Sequence, residues 1–371
     1  MKPKVFDIFS GCGGMSWGLH LAGFEIIGAL DNWKIALDTF KLNHPNAKLF
    51  YGDIRNFNVE QIRKDFGLAK GELDCLVGGP PCQGFSKNVP SSYRFLDDPR
   101  NQLYNDYLNF VEEFHPKVVI MENVAEIYNA FDGQVRIQIL KRLQQLGYKT
   151  EVKVLFGPDY GIPQRRSRCF FFASRTKKHP YFPSPLYSAK SETNLFEETK
   201  KYVSAWEAIS DLPELENGEG ANELSYDKLP QNEYQLLMRN GNTKLYDHIT
   251  RELKGVQLER MKSIKAGQGI KDLPEKIRPK SGYSGAYGRL DYENVAPTIT
   301  RWVFHPGSGR YGHPKNDRLI TIREAARLQC FTDDFKFTGT YIEKAHQIGN
   351  AVPSLFMFIL SKPIIEILKL N

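Results

Sequence analysis

Residues 1–175 alternate short apolar runs with amphipathic stretches. Apolar positions at helical spacing predict a helix that ends near Leu21 and further helices over Trp33–Asn43 and Gln134–Leu146. Compact runs rich in β-branched and aromatic residues predict strands at Val5–Phe9, Glu25–Leu30, Asp74–Val77, Lys117–Met121 and Cys169–Ala173, and a short strand, third in chain order, leads into Gly52–Ile54. Strands that alternate with helices are typical of a mostly parallel sheet with helices on both faces, so we predict an α/β fold.

About halfway along the chain the pattern changes. Closely spaced prolines interrupt regular structure, and the segment 251–310 is basic and rich in glycine. Apolar periodicity returns at Thr321–Gln329. We therefore predict a smaller second domain with its connecting segments over about 178–317, inserted into an α/β domain that consists of 1–177 and 318–371. A solvated loop region is the alternative for the insertion.

The charge balance of the chain is mildly basic. Lys and Arg total 50 against 43 for Asp and Glu, which gives a formal net charge of +7. Such a surplus suits a polyanionic partner, because phosphate contacts depend on Lys and Arg. Many soluble proteins carry a similar charge. Charge alone therefore leaves both a nucleic-acid partner and an ordinary soluble protein open.

The cysteines and the two ends of the chain indicate the cellular compartment of the protein. The five cysteines are widely spread and include no C-x-x-C pair, so neither a disulfide framework nor a metal site is predicted. The N-terminus leads straight into the first predicted strand, which leaves no room for a signal peptide. The apolar tail Leu355–Leu368 is interrupted by Ser361, Lys362 and Pro363. We expect this tail to be a buried helix in a cytoplasmic protein without membrane contact.

A glycine-rich turn, FSGCGG over 9–14, joins the first predicted strand to the first predicted helix. Glycines let the backbone approach a ligand closely, and the start of a helix offers free N–H groups. Asp31 follows the second predicted strand and Asp53 the third, where carboxylates can accept from ribose hydroxyls and an adenine amino group. Either acid alone would more simply cap a helix. Together, the three features predict a nucleoside cofactor.

The run VGGPPCQGFS over 77–86 follows the fourth predicted strand. Two prolines before Cys82 fix the local backbone, and the flanking glycines permit tight turns. A free cysteine is most simply a small buried hydrophobe, and we assign that role to the four other cysteines. A buried core residue rarely needs two prolines and several glycines around it. Cys82 is therefore predicted to be a thiol held at the ligand-binding edge of the sheet.

Two further segments contribute polar groups to this predicted edge. The fifth predicted strand runs into Glu122, and a partly desolvated glutamate near a nucleophile can donate a proton. A helix cap is the simpler alternative for Glu122. Gln164, Arg166 and Arg168 alternate in a segment expected to be extended, so they should share one face. Two guanidiniums on one face suit a carboxylate or a phosphate.

With these residues in order, the chain resembles the cytosine-carbon-5 DNA methyltransferase family. The resemblance covers nearly the whole chain except roughly 180–280. One departure concerns the cofactor: Asp31 stands where a glutamate is commoner, and Asn32 separates it from the aromatic Trp33, which leaves open the residue that covers the adenine. The matching blocks are Asp7–Gly14, Gly52–Ile54, Gly78–Ser86, Glu122–Val124, Gln164–Arg168, Arg318–Phe331 and Gly349–Pro353.

The resemblance implies a Rossmann-like, S-adenosylmethionine (SAM)-dependent methyltransferase fold with a separate target-recognition domain and no metal. SAM would be the cofactor and S-adenosylhomocysteine (SAH) the product. Residues implied to contact DNA are Gln83, Ser86 and Gln164. Residues implied to hold the cofactor are Phe9, Ser10, Gly11, Gly13, Gly14, Asp31, Asn32, Asp53, Ile54, Pro81, Leu103, Asn350, Ala351 and Val352.

In the implied reaction, Cys82 adds to carbon 6 of a cytosine and so makes carbon 5 nucleophilic toward the methyl group. Glu122 would protonate or hydrogen-bond ring nitrogen 3. Arg166, helped by Arg168, would orient Glu122 and approach the carbonyl oxygen of the base. Because the target base must leave the duplex stack, we expect the polar stretch 86–99 to close over it.

Double-stranded DNA is therefore the predicted partner, bound by a monomer that acts beside a restriction endonuclease in a prokaryotic cell. Transfer RNA is the alternative substrate, because one branch of the family modifies RNA. The long variable region favours DNA, since sequence readout needs an added domain. The intact Cys82, Glu122, Arg166 and Asn350 disfavour an inactive DNA-binding homologue. Amino-methylating enzymes need no cysteine, and a thiol oxidoreductase would need a second cysteine nearby.

Overall fold

The chain folds into two compact units. The computed structural model describes residues 2–81, 102–189, 193–194 and 197–369. The sheet unit consists of 1–156, 167–184 and 356–371, and the second unit consists of 157–166 and 185–355. The chain therefore enters the second unit twice and returns to the sheet unit at its C-terminal end.

The sheet unit contains seven strands: β1 (Lys4–Ile8), β2 (Glu25–Asp31), β3 (Lys48–Tyr51), β4 (Cys75–Gly78), β5 (Val118–Val124), β6 (Lys149–Phe156) and β7 (Ser167–Ser174). They form one sheet in the order β3-β2-β1-β4-β5-β7-β6. The first five strands pair in parallel, and β7 pairs antiparallel with both β5 and β6. This mainly parallel sheet confirms the predicted α/β class.

The helices of the sheet unit include α1 (Gly14–Leu21), α2 (Lys34–Asn43), α3 (Val59–Asp65), α4 (Leu103–Phe114) and α5 (Gln134–Gln145). The sequence pattern predicts α1, α2 and α5 but not α3, α4 or β6. On α4, the hydroxyl of Tyr107 lies 3.2 Å from the carbonyl oxygen of Leu76 and 3.1 Å from that of Ile120. Because these carbonyls belong to β4 and β5, α4 holds these two strands together.

The strand order places a topological switch point between β1 and β4. From β1 the sheet extends through β2 and β3 on one side and through β4 and β5 on the other. At such a point the connections after the two central strands run in opposite directions and leave a crevice at their carboxyl ends. The glycine turn follows β1 and the segment leading to Cys82 follows β4, so both predicted ligand-binding segments lie at the edge where this fold class binds ligands.

The second unit mixes short strands, helices and long connections. Its helices are α6 (Ala205–Ile209), α7 (Glu233–Arg239), α8 (Val256–Lys262), α9 (Ile322–Leu328) and α10 (Tyr341–Asn350). Its strands are β8 (Tyr187–Ser188), β9 (Thr193–Asn194), β10 (Glu197–Glu198), β11 (Lys200–Lys201), β12 (Gly220–Ser225), β13 (Lys244–Ile249), β14 (Gly288–Arg289) and β15 (Arg310–Gly312). The longest pairing is the antiparallel one between β12 and β13.

Ion pairs buried around α9 hold the second unit together. Arg318 makes a two-pronged pair with Glu324, with nitrogen–oxygen distances of 2.8 and 2.9 Å. Arg327 binds Asp333 through two nitrogens at 2.9 and 2.6 Å and also pairs with Asp211. All five side chains are at most 1% exposed. A buried guanidinium is tolerated when carboxylates or carbonyl oxygens compensate its charge, so these pairs constrain how α9 packs.

The compact units do not coincide with the predicted domain boundaries, which stay a prediction. Residues 318–355 belong to the second unit rather than to the sheet, and residues 157–166 join it as well. The reason is the α9 network: Arg327 binds Asp211, which lies 116 positions earlier in the second unit. Apolar periodicity at Thr321–Gln329 identifies a helix but carries no information on which unit the helix packs against.

The C-terminal helix α11 (Ser354–Leu368) provides the return to the sheet unit. The ring of Phe356 lies 5.3 Å from that of Phe170 on β7, which confirms the expected buried helix. By length and composition alone, Tyr341–Leu368 is the helical stretch among the described residues that could cross a membrane, and 61% of its most apolar window is buried. The break at residues 351–353 leaves α11 about 22 Å long, shorter than a bilayer core.

Candidate functional site

The turn over 9–14 has the backbone geometry of a ligand cradle. Phe9, Gly11 and Gly13 have φ angles of 60°, 53° and 99°, in the region that glycine adopts at little cost. A Cβ on Gly13 would lie 2.9 Å from Cδ2 of Phe40, so glycine is required for α1 to start this close to α2. The turn therefore leaves the backbone at the start of α1 uncovered by side chains, and a ligand can approach it closely.

Asp31 fixes this turn from the end of β2. Its Oδ2 accepts from the backbone N–H of Gly11 at 2.8 Å, and its Oδ1 accepts from that of Trp33 at 2.8 Å. Burial raises the pKa of the Asp31 carboxyl, and the backbone hydrogen bonds act in the opposite direction. Each carboxylate oxygen can accept a second hydrogen bond. The arrangement therefore fits the predicted ribose contact, which stays a prediction.

Asp53 is engaged by its own neighbour. It begins the 3-10 turn Ile54–Asn56 and accepts from the backbone N–H of Arg55 at 3.0 Å and from its Nε at 2.9 Å. The side-chain hydrogen bond from Arg55 lowers the pKa of Asp53 to about 2. Ile54 is buried. The helix-cap alternative thus describes Asp53 in the structure, and its contact with an adenine stays a prediction.

The remaining residues implied to hold the cofactor fall in both units. Asn350 ends α10 and is exposed, whereas Ala351 is buried and Val352 is partly buried. These three belong to the second unit, and their contact with the cofactor stays a prediction. The others lie in the sheet unit, at or next to strand ends and helix starts, and are Ser10, Gly14, Asn32, Pro81 and Leu103.

An acid and a cation meet on neighbouring strands of the sheet unit. Arg168 Nε on β7 lies 2.7 Å from Glu122 Oε1 on β5, and the two side chains are 17% and 9% exposed. A Cβ on Gly79 would lie 3.0 Å from Glu122 Oε2. Gly79 therefore leaves room for the Glu122 carboxylate beside the segment that leads to Cys82. The ion pair therefore fixes the orientation of the carboxylate at a position that is little exposed to water.

Asn123 is a site residue that the sequence analysis does not assign. Its Nδ2 donates to the carbonyl oxygen of Pro80 at 3.0 Å, and its Oδ1 accepts from the backbone N–H of Val124 at 2.8 Å. The side chain is buried. Asn123 thus fastens the end of β4 to β5, two residues before Cys82. The Glu-Asn pair is visible in the sequence, but its carbonyl partner lies 43 residues earlier and cannot be read from local pattern.

Arg166 is bound by backbone carbonyls of its own unit. Its guanidinium donates to the carbonyl oxygens of Ile299 at 2.9 Å, Gly349 at 3.3 Å and Ala351 at 2.9 Å. The side chain is 3% exposed. Arg168 forms the ion pair with Glu122 described above, and the contact of Arg166 with Glu122 stays a prediction. Arg166 holds the start of the block over 349–353 in place.

Gln164, predicted to contact DNA, is held inside the second unit. Its side chain is fully buried, and its Nε2 donates to the carbonyl oxygen of Leu328 at 2.5 Å and to Oε1 of Gln329 at 2.8 Å. Its Oε1 accepts from the backbone N–H of Ile299 at 3.0 Å. All the polar atoms of the side chain are thus engaged within the protein, and its contact with DNA stays a prediction. Gln164 cross-links three segments of the second unit.

Four cysteines lie in the described part of the chain, and all are buried: Cys12, Cys75, Cys169 and Cys330. Burial raises the pKa of each thiol, to about 12 for Cys169 and Cys330. A thiolate is the nucleophilic form, so these four are poor nucleophiles, as predicted. Cys82, Gln83, Ser86 and the stretch 86–99 lie outside the described residues.

Comparison with a family model and with known proteins gives one consistent result. The model of the "C-5 cytosine-specific DNA methylase" family matches residues 3–366. The chain is 31% identical to Type II methyltransferase M.AgeI of Thalassovita gelatinovora, over 95% of this chain and 96% of that protein. It is 33% identical to Type II methyltransferase M.DdeI of Desulfomicrobium norvegicum, over 97% and 88% of the two chains.

The fold agrees with a solved structure of related description. A crystal structure described as a DNA modification methyltransferase encoded within an Escherichia coli prophage superposes with a TM-score of 0.76. The match covers 99% of this chain and 100% of the other, at 24% sequence identity. At that identity the likeness establishes the fold alone, which agrees with the α/β fold predicted from the sequence.

Proposed function

This chain belongs to the C-5 cytosine-specific DNA methylase family, and from that membership we propose the roles of its individual residues. The reaction itself is methyl transfer from SAM to carbon 5 of cytosine in DNA, with SAH as the product. We propose that Cys82 is the nucleophile, Glu122 the acid and Arg168 the residue that orients Glu122. The observation that carries this assignment is the Arg168–Glu122 pair beside Gly79, at the end of β5.

The cofactor would be held at the switch point of the sheet. SAM supplies an electrophilic methyl group when bound. The turn over 9–14 would lie against it, Asp31 would accept from the ribose, and the segment Asp53–Ile54 would lie at the adenine. The left-handed turn and the oxygens of Asp31, which can each accept again, support this placement.

The proposed chemistry runs through Cys82 and Glu122. The Cys82 thiolate forms a bond to carbon 6, and Glu122 gives a proton or a hydrogen bond to ring nitrogen 3, which makes carbon 5 enamine-like. After carbon 5 has taken the methyl group, a base removes its proton and Cys82 leaves. Asn123 would position Cys82 through its hydrogen bond to Pro80. The target base must be out of the stack for carbon 6 to be reached.

We assign sequence readout to the second unit, in particular to residues 256–289. This segment packs around a small apolar core that includes Ile264, Leu273 and Ile277. A folded platform of this kind can hold side chains against base edges and phosphates. Exposed cations surround the core and are Lys262, Lys265, Lys271, Lys276, Arg278 and Lys280.

We further propose that the protein acts as a monomer in the prokaryotic cytosol and protects DNA from a partner restriction endonuclease. The names of its relatives as Type II methyltransferases support this role. DNA modified by the protein should then resist an endonuclease that cuts the same sequence. Cleavage of fully modified DNA at that sequence by the endonuclease encoded beside the protein would contradict the pairing.

The reaction and its target are tested together by bisulfite sequencing of unmethylated genomic DNA after incubation with the protein and SAM. We expect protected cytosines within one short recurrent motif. If SAM binds and cytosines become protected in transfer RNA but not in DNA, the RNA substrate is favoured. Protection of neither would favour a homologue without catalysis.

Glu122→Gln should slow methyl transfer in a single turnover by about 10²–10⁴-fold, because the amide keeps the shape of the side chain but cannot donate the proton. DNA affinity, measured by fluorescence anisotropy, should change little. Glu112→Gln is the matched control, since Glu112 is exposed on α4 in a pair with Arg142. An unaltered rate in Glu122→Gln would exclude the proposed acid.

A further inference from the structure

Asp7 is a buried acid that the proposed reaction does not use. It lies on β1, two residues before the glycine turn, and is 1% exposed. Its hydrogen bonds come from Ser16 on α1, whose hydroxyl donates to Oδ2 at 2.6 Å and whose backbone N–H also faces the carboxyl. Oδ1 has no hydrogen-bond partner among the described residues. Asp7 and Ser16 therefore link the two elements that the glycine turn connects.

Among the described residues, Asp7 makes no ion pair, and the largest electrostatic contribution to it comes from another acid, Asp31. Its register neighbours are Ala29 on β2 and Val77 on β4. The titratable groups that face it are Asp31 on β2, Cys12 in the turn, Cys75 on β4 and Tyr107 on α4. Burial, with a smaller contribution from Asp31, raises the pKa of Asp7 to about 7. The carboxyl therefore gains and loses its proton near neutral pH.

The two cofactor forms differ in charge at the atom that reacts. The sulfonium of SAM is positive, whereas the thioether sulfur of SAH is neutral. A charge bound next to a part of the protein that excludes water acts strongly on a buried titratable group, because little water screens the interaction. The glycine turn that would hold the cofactor lies between β1 and α1, the two elements that carry Asp7 and Ser16. SAM and SAH should therefore act differently on Asp7.

We propose that Asp7 is a charge-sensing residue for the cofactor: it releases its proton to solvent when SAM binds and regains one from solvent when SAM is replaced by SAH. The ionised carboxylate then favours the sulfonium, and the protonated carboxyl removes that preference once the methyl group has left. By linkage, the affinity ratio of SAM to SAH rises as the pH increases toward about 7, the pKa of Asp7 without the sulfonium, and levels off above it.

Isothermal titration calorimetry of the full chain tests the proposal. SAM and SAH are each titrated at pH 7 in buffers of different ionisation enthalpy, which gives the number of protons released on binding. The quantity to compare is the number of protons released with SAM minus the number released with SAH. This difference should be about 0.5 larger in the native chain than in Asp7→Asn, because a group with a pKa near 7 is half protonated at that pH. If the difference in proton release between SAM and SAH is the same in Asp7→Asn as in the native chain, the proposal is refuted.

A second variant keeps the test valid if Asp7→Asn does not fold. Ser16→Ala leaves the carboxyl in place but removes the hydroxyl whose hydrogen bond lowers the pKa of Asp7. The pH at which the SAM-to-SAH affinity ratio changes should therefore move upward in Ser16→Ala. The amino groups of the two ligands titrate independently of Ser16, so an unmoved midpoint would assign the proton to the ligand and refute the role of Asp7.

Discussion

Cys82→Ala is expected to abolish methyl transfer, with a loss of about 10⁴-fold or more, while SAM affinity is retained. Without the thiolate, no bond forms at carbon 6 and carbon 5 keeps its low nucleophilicity. The measurement is transfer of labelled methyl groups to DNA that carries the bisulfite-defined motif, together with calorimetry of SAM binding. Cys330→Ala is the matched control, because burial raises the pKa of that thiol to about 12 and we assign it no role.

Two outcomes would contradict the role of Cys82. Methyl transfer within tenfold of the native rate would show that the reaction needs no covalent bond to this thiol. Loss of SAM binding in Cys82→Ala would show that the substitution damages the cofactor site rather than the chemistry. A covalent complex with DNA that carries 5-fluorocytosine at the target should form with the native chain and Cys330→Ala but not with Cys82→Ala, because fluorine blocks loss of the carbon-5 substituent.

Arg327→Met is expected to destabilise the second unit by about 3–5 kcal/mol. The substitution leaves the carboxylates of Asp211 and Asp333, each 0% exposed, without their shared guanidinium. Arg239 still pairs with Asp211 at 2.7 Å, so the loss falls mainly on Asp333. Urea unfolding followed by the fluorescence of Trp206, which lies in the second unit, measures the effect.

Arg142→Met provides the comparison for Arg327→Met. Arg142 pairs with Glu112 on the surface of the sheet unit, where the two side chains are 42% and 48% exposed. Water screens such a pair, so its loss should cost less than about 1 kcal/mol. Equal destabilisation by the two substitutions would mean that the buried network around α9 contributes no more than a surface pair.

Much of the fold follows from local pattern. The strands β1, β2, β4, β5 and β7 are short apolar runs, and their spacing around helices predicts the parallel sheet. The strands β3 and β6 are more exposed at the two edges of the sheet. Edge strands need less apolar character, and β6 is therefore missed by a pattern that depends on burial.

The sequence by itself determined the fold class, the family, the cofactor and the order of the motifs. These properties depend on residue types at short spacing, such as the glycines of the turn over 9–14 or the two prolines before Cys82. Local spacing is read directly from the chain, because strand and helix periods fix which neighbouring residues share a face.

Only the tertiary structure decided which charges meet. It paired Arg168 with Glu122, placed Arg166 and Gln164 among backbone groups of the second unit, joined α9 to Asp211 and buried Asp7 beside Ser16. Partners of buried polar groups come from segments far apart in the chain. Which of several arginines meets a given carboxylate depends on how those segments pack, because burial makes each unpaired charge costly and spacing along the chain does not record that packing.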